Sequence, residues 1–300
     1  MTGGAVESEG HIASLPALVA LHALVHRRHA LPPATGGMQG GRAPGRLSRG
    51  MEFAESRPYR AGDDVRSIDW RQTARRGSPF TKLFREEHER PVHLLVDLGT
   101  SMRFGTRVAF KSVIAARAAA LLAWQAVENG DRVGGIICGN GHREVRPQGR
   151  HQGALAMLRQ LAEASAAHPD AASSLAATLP ALARTIRPGA MAILVSDFHA
   201  LDDALVHGIA ALALRNDVAL VQVSDGFESA PPEGIYRVSD GERGTTLDLR
   251  SEAGRSAWLA PFTARRALLE KLARHPRVRL MTLSTDEDPA RVLRLLSGTP

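Results

Sequence analysis

The sequence predicts an α/β protein: a doubly wound, mostly parallel sheet with helices on both faces. Three observations carry that reading. Five strand-length segments, VHLLVDL (92–98), RVGGIIC (132–138), AMAILVSDF (190–198), VALVQVSD (218–225) and VRLMTLS (278–284), are near-continuous apolar runs, as in strands buried on both faces. Ala- and Leu-rich stretches with apolar residues three and four apart lie between them. Such alternation builds a parallel sheet from crossover helices. Two of the strands also deliver an aspartate at their carboxyl ends, Asp97 and Asp197, where sheets of this kind bind ligands.

In chain order, residues 12–29 place Ile12, Leu15, Leu18, Val19, Leu21 and Val25 near helical spacing, which predicts an amphipathic helix. LPPATGGMQGGRAPG follows as a Pro- and Gly-rich linker. Next comes a block dense in charge of both signs, with 12 Lys/Arg and 8 Asp/Glu from Arg42 to Arg90. Three divisions result: residues 1–45 as helix and linker, 46–90 as charged segment, 91–300 as the sheet domain. Helices are expected over 107–129, 153–164, 175–186, 202–216 and 264–275. YRVSDGERGTTLDL (236–249) reads as an inserted hairpin that turns near GERG.

Composition narrows the class. The chain has 300 residues and is 44% hydrophobic, enough for a substantial core. Net charge is +7, but aromatics make up only 4%, and the charged block mixes signs. A nucleic-acid binder shows a one-signed patch with interleaved aromatics, so that class is a weak rival. The lone Cys138 sits in an apolar run and reads as a buried structural thiol in a reducing compartment. MTGGAVESEG lacks the basic start of a signal peptide, and LPALVALHALV is shorter than the roughly 20 residues a membrane span needs. A cytoplasmic protein is expected.

If the strands ending in Asp97 and Asp197 are neighbours, both carboxylates face one crevice, with Ser101 and Ser196 close in sequence. Carboxylates and hydroxyls together suit a hard cation: Mg²⁺, Mn²⁺ or Ca²⁺. The bland alternative is an aspartate that accepts loop N–H groups and caps a turn.

Two blocks give the sequence a family likeness. EFAESRPYRAGDDVRSIDWRQTARRGSPFTKLFREE (52–87) holds Arg57, Tyr59, Gly62, Asp63, Asp64, Arg66, Ile68, Asp69 and Trp70 in fixed spacing, then Thr73 to Arg75. VHLLVDLGTSM is followed about a hundred residues later by ILVSDF. On these residues the chain resembles the family called domain of unknown function 58, von Willebrand factor A-like proteins associated with MoxR-type AAA+ ATPases. The resemblance implies a von Willebrand factor A fold and a metal-ion-dependent adhesion site. In such a site an Asp-x-Ser-x-Ser loop, a hydroxyl from a second loop and an Asp from a third hold one divalent cation, which accepts a partner's carboxylate. Asp97 and Ser101 match the first loop and Asp197 the third. Gly99 stands where a ligand serine is expected. Ser173 and Ser174 are the best-placed second-loop hydroxyls.

For the charged block the first reading is an internal ion-pair network. Arg57, Arg60, Arg66, Arg71 and Arg75 would meet Asp63, Asp64 and Asp69, with Tyr59 and Trp70 packed as anchors. The second is a docking surface in which Arg, Tyr and Trp contact a partner. The histidines show no H-E-x-x-H spacing, which argues against zinc. No G-x-x-x-x-G-K-[ST] loop or G-x-S-x-G elbow occurs. The expected function is therefore a non-enzymatic protein-interaction module that works with a MoxR-type ATPase in chaperone-like assembly or maturation. Its rivals are a Mg²⁺- or Mn²⁺-dependent hydrolase using the same crevice and a basic nucleic-acid binder.

Overall fold

The computed structural model describes residues 10–29, 51–60, 65–86, 89–169, 173–239 and 244–296. It forms two compact units: Pro33–Glu89, and Met1–Pro32 together with Arg90–Pro300.

The N-terminal helical segment belongs to the larger unit. The predicted single helix is two, α1 (Leu15–Ala20) and α2 (His22–His29), divided at Leu21. Ser14 starts α1 by accepting the Ala17 N–H at 3.4 Å. Leu18 and Val25 are buried in the main core, whereas Ile12 and Val19 stay exposed.

The smaller unit is an antiparallel pair, β1 (Met51–Pro58) and β2 (Phe80–Glu86). A short 3-10 turn (Val65–Ser67) and α3 (Trp70–Arg76) lie between the two strands in sequence. Asp69 caps α3, accepting the N–H groups of Arg71 at 3.2 Å and Gln72 at 3.1 Å. Gly77 closes the helix in the left-handed region, at φ 68°. Trp70 corrects the sequence reading: it is 70% exposed, not packed as an anchor. It occupies the first helical position, next to the capping Asp69, whereas Phe80 is the buried aromatic of this unit among the described side chains. Asp63 and Asp64 lie outside the described residues, as does the side chain of Arg66.

In the larger unit, chain order runs β3 (Pro91–Asp97), α4 (Lys111–Glu128), β4 (Arg132–Cys138), β5 (His142–Gln148), α5 (Arg150–Ala166), α6 (Leu175–Thr185), β6 (Met191–Ser196), α7 (Asp203–Ala213) and β7 (Asp217–Ser224). Then come α8 (Gly226–Ser229), the hairpin β8 (Ile235–Ser239) and β9 (Gly244–Asp248), α9 (Glu252–Leu272) and β10 (Val278–Ser284). The sheet order is β10-β7-β6-β3-β4-β5, parallel except for β5, which pairs antiparallel with β4. This is the predicted doubly wound sheet. One core layer packs α4 and α5 against one face; the other packs α6, α7 and α9 against the opposite face.

Two details place the site. Helix α4 is buried nearly all round and is correspondingly largely apolar, as the Ala-rich run predicts. The backbones of β3 and β4 approach closely at Gly135, where a Cβ would sit 1.9 Å from the Leu94 carbonyl oxygen. The glycines of RVGGIIC thus serve strand packing. Because β3 and β6 are direct neighbours, Asp97 and Asp197 emerge side by side at the carboxyl edge.

Candidate functional site

Asp97 is the last residue of β3 and only 8% exposed. Its Oδ1 accepts the Gly99 N–H at 2.9 Å, and its Oδ2 accepts the Ser196 hydroxyl at 2.7 Å. Burial pushes its carboxyl up to about 6. The two hydrogen bonds and the Lys111 charge oppose that rise, and the Asp197 charge adds to it.

Asp197 follows β6 directly and is 1% exposed. Its Oδ2 meets the Lys111 ammonium at 2.7 Å, and the same ammonium reaches Glu228 Oε1 at 2.6 Å. Its Oδ1 accepts the Ser101 hydroxyl at 3.2 Å and the His199 N–H at 2.9 Å. Burial alone would raise the Asp197 carboxyl, but Lys111, by charge and hydrogen bond, holds it below the usual carboxylate range, aided by His199 N–H and Arg265. Lys111 is itself 2% exposed and lies 5.7 Å over the Phe104 ring. Two buried carboxylates, Asp197 and Glu228, thus share one buried ammonium, and neither of these Lys111 contacts is to the third, Asp97.

The remaining donors arrive from loops. Ser101 is the middle residue of the 3-10 turn Thr100–Met102 that follows Asp97. The Ser173 hydroxyl accepts the Gly139 N–H at 2.9 Å and donates to the Gly141 carbonyl. Ser174 caps α6, accepting the Ala177 N–H at 3.2 Å. Each hydroxyl oxygen has two lone pairs, so Ser173 and Ser174 each keep one for a ligand. Asp97, Ser101, Ser173, Ser174 and Ser196 line one cleft of about 210 Å³ together with His199. Arg265 lies 3.2 Å from His199 Nδ1. A guanidinium only donates, so Nδ1 accepts, and the neutral ring carries its proton on Nε2.

The predicted site residues therefore gather as follows. Asp97, Ser101, Ser173 and Ser174 share the cleft; Asp197 meets it through Ser101. Oxygen donors of this kind suit a hard cation, for which Asp97 would be the anionic ligand and Ser101 and Ser173 neutral ones. Gly99 leaves limited room on that face: a Cβ there would lie 3.1 Å from Asp97 Oδ1. Lys111, Glu228, Arg265 and His199 escaped the sequence reading. The one available signal was Lys111 itself, a charged residue at the head of a largely apolar helix.

The class is thus an α/β domain whose doubly wound sheet has antiparallel β5 at its edge and an oxygen-lined cleft at its carboxyl ends. The profile of the family described as "Protein of unknown function DUF58" matches residues 55–267, and the chain belongs to that family. It is 32% identical over 243 residues to the uncharacterized proteins Mb1516 of Mycobacterium bovis and Rv1480 of Mycobacterium tuberculosis, covering 80% of this chain and 76% of each relative. Among solved structures, BatB from Bacteroides thetaiotaomicron aligns with TM-score 0.40 at 16% identity, over 62% of this chain and 99% of that one. A von Willebrand factor type A protein from Catenulispora acidiphila aligns with TM-score 0.36 at 16% identity, over 72% of this chain and 42% of that one.

Proposed function

We propose that this chain is a non-enzymatic protein-interaction module of the cytoplasm whose cleft over Asp97 receives an acidic side chain from a partner protein. The observation that carries this reading is the asymmetry of the two strand-end aspartates. Asp197 is neutralised internally by Lys111, whereas Asp97 faces the cleft with no ammonium of its own. A divalent cation, Mg²⁺ before Mn²⁺ or Ca²⁺, would be held by Asp97, Ser101 and Ser173, with water in place of the side chain that Gly99 lacks. Bound there, it would supply positive charge for the partner's carboxylate. His199 also lines the cleft and, with Nδ1 facing Arg265, could offer its Nε2–H as a further donor for that group.

The surroundings of Ser101 support a binding role over a catalytic one. Its hydroxyl donates to Asp197, and a carboxylate held below its usual range is a poor general base. The partner class comes from the family resemblance: a MoxR-type AAA+ ATPase, with chaperone-like assembly or maturation as the shared task. Among the described residues no helix is long and apolar enough to cross a membrane. Arg57, Tyr59, Arg60 and the exposed Trp70 and Arg75 offer the second contact surface.

The test is capture of a purified MoxR-type ATPase by the full-length protein, in Mg²⁺ and after chelation with Mg²⁺ added back. Capture that needs Mg²⁺ and fails with Asp97→Ala is the expected result. Capture indifferent to both would move docking away from the cleft. Phosphatase or nuclease turnover abolished by Asp97→Ala would establish the hydrolase reading instead.

A further inference from the structure

Away from the cleft, three helices bring metal-ligating side chains together. His22 on α2 places its Nε2 2.6 Å from Glu128 Oε1 at the end of α4. His26, one turn further along α2, places its Nδ1 3.7 Å from Glu128 Oε2. His151, near the start of α5, stacks edge-on to the His22 ring with centroids 5.3 Å apart. One ligand atom from each of His22, Glu128 and His151 falls within 4.8 Å of the other two. The Trp124 ring lies against both His22, at 4.4 Å, and His151, at 5.8 Å, and forms an apolar wall.

We propose that His22, Glu128 and His151, with His26 as fourth ligand, form a site for a borderline divalent transition metal, Zn²⁺ in the cell. Two histidines four residues apart on one helix present their rings on the same face. Three imidazoles and one carboxylate match Zn²⁺, whereas Mg²⁺ and Ca²⁺ demand oxygen. Ligand atoms around tetrahedral Zn²⁺ with bonds of about 2.0–2.1 Å stand about 3.3 Å apart. To reach that spacing the His22–Glu128 contact would have to open and the His151 and His26 rings would have to turn inward. The ion would tie the N-terminal helices to α4 and α5 across more than a hundred residues of sequence. The role is structural, because four protein ligands leave no open position.

Untagged, chelator-stripped protein is titrated with Co²⁺, read by its visible absorption, and with Zn²⁺, read by calorimetry and by thermal melting. One equivalent of each binds, Co²⁺ shows the intense bands of tetrahedral coordination, and Zn²⁺ raises the melting temperature. His151→Ala, at an exposed position, and Glu128→Gln each weaken Zn²⁺ by at least about tenfold. Asp97→Ala leaves this binding unchanged, which separates the site from the cleft. Circular dichroism establishes that each variant is folded. Absence of the Co²⁺ bands in the wild type overturns the proposal, and so does undiminished Zn²⁺ binding by a folded His22→Gln/His151→Ala double variant.

Discussion

Asp97 carries a testable electrostatic load. In the unfolded chain its carboxyl ionises at the ordinary 3.8, and in the folded chain at about 6. Between those values the folded state binds more protons than the unfolded one, so stability declines as pH rises through that window. The full loss is about 3 kcal/mol above pH 6, at 1.36 kcal/mol for each tenfold change. Asp97→Asn, which stays neutral, should be more stable than the wild type at pH 8 by up to that amount, with the gap shrinking toward pH 4. Urea midpoints across that range check it, and a gap that ignores pH contradicts it. Mg²⁺ competes with the same proton, so its binding should strengthen from pH 5.5 to pH 8. Gly99→Ser should tighten Mg²⁺ further in calorimetry. The backbone there is ordinary, at φ −68°, and the tight contact of its Cβ with Asp97 Oδ1 calls for an adjustment of a few tenths of an ångström. Unchanged affinity would mean that the added hydroxyl does not reach the ion. Asp97, Ser101 and Asp197 were legible because a carboxylate at the end of an apolar run is a local pattern. Lys111 and Glu228 were not, since their meeting spans 117 residues and leaves no trace in local spacing.

At the scale of elements, the five parallel strands were legible as apolar runs, and each appears within a residue or two of its expected ends, with β6 slightly shorter. β5 was missed because HREVRPQ is an exposed edge strand, with only Val145 buried. Edge strands carry charge and proline, which hide the pattern. The last helix was expected from residue 264 but begins at Glu252. Pro261 reads as a breaker, yet α9 runs through it. In the smaller unit, the expectation that Trp70 is a core anchor fails on its exposure. Trp70→Ala should therefore change the denaturation midpoint by only about 0.5 kcal/mol or less. A cost of about 3–5 kcal/mol, as for a buried Trp, would contradict the position found here. The capping role of Asp69 was open to reading, since Asp before a helical run is a start signal.

For the whole molecule, the family block and the strand–helix alternation made the architecture legible before any coordinates. The chemistry of the cleft depended on which loops meet, which only the folded chain shows. Ser173 reaches the cleft because its hydroxyl ties the loop before α6 to the turn between β4 and β5. Lys111 reaches Asp197 because α4 packs under the sheet edge where β3 and β6 end. The arrangement leaves one strand-end carboxylate paired with an ammonium and the other, hydrogen-bonded to Gly99 and Ser196, lining the cleft. On the proposed function, a partner docks at the second. The most direct measurement is the dissociation constant between this protein and a purified MoxR-type ATPase in Mg²⁺, for the wild type and for folded Asp97→Ala. The expected result is weakening by at least about tenfold, or about 1.4 kcal/mol. Equal affinities for the two proteins would contradict it.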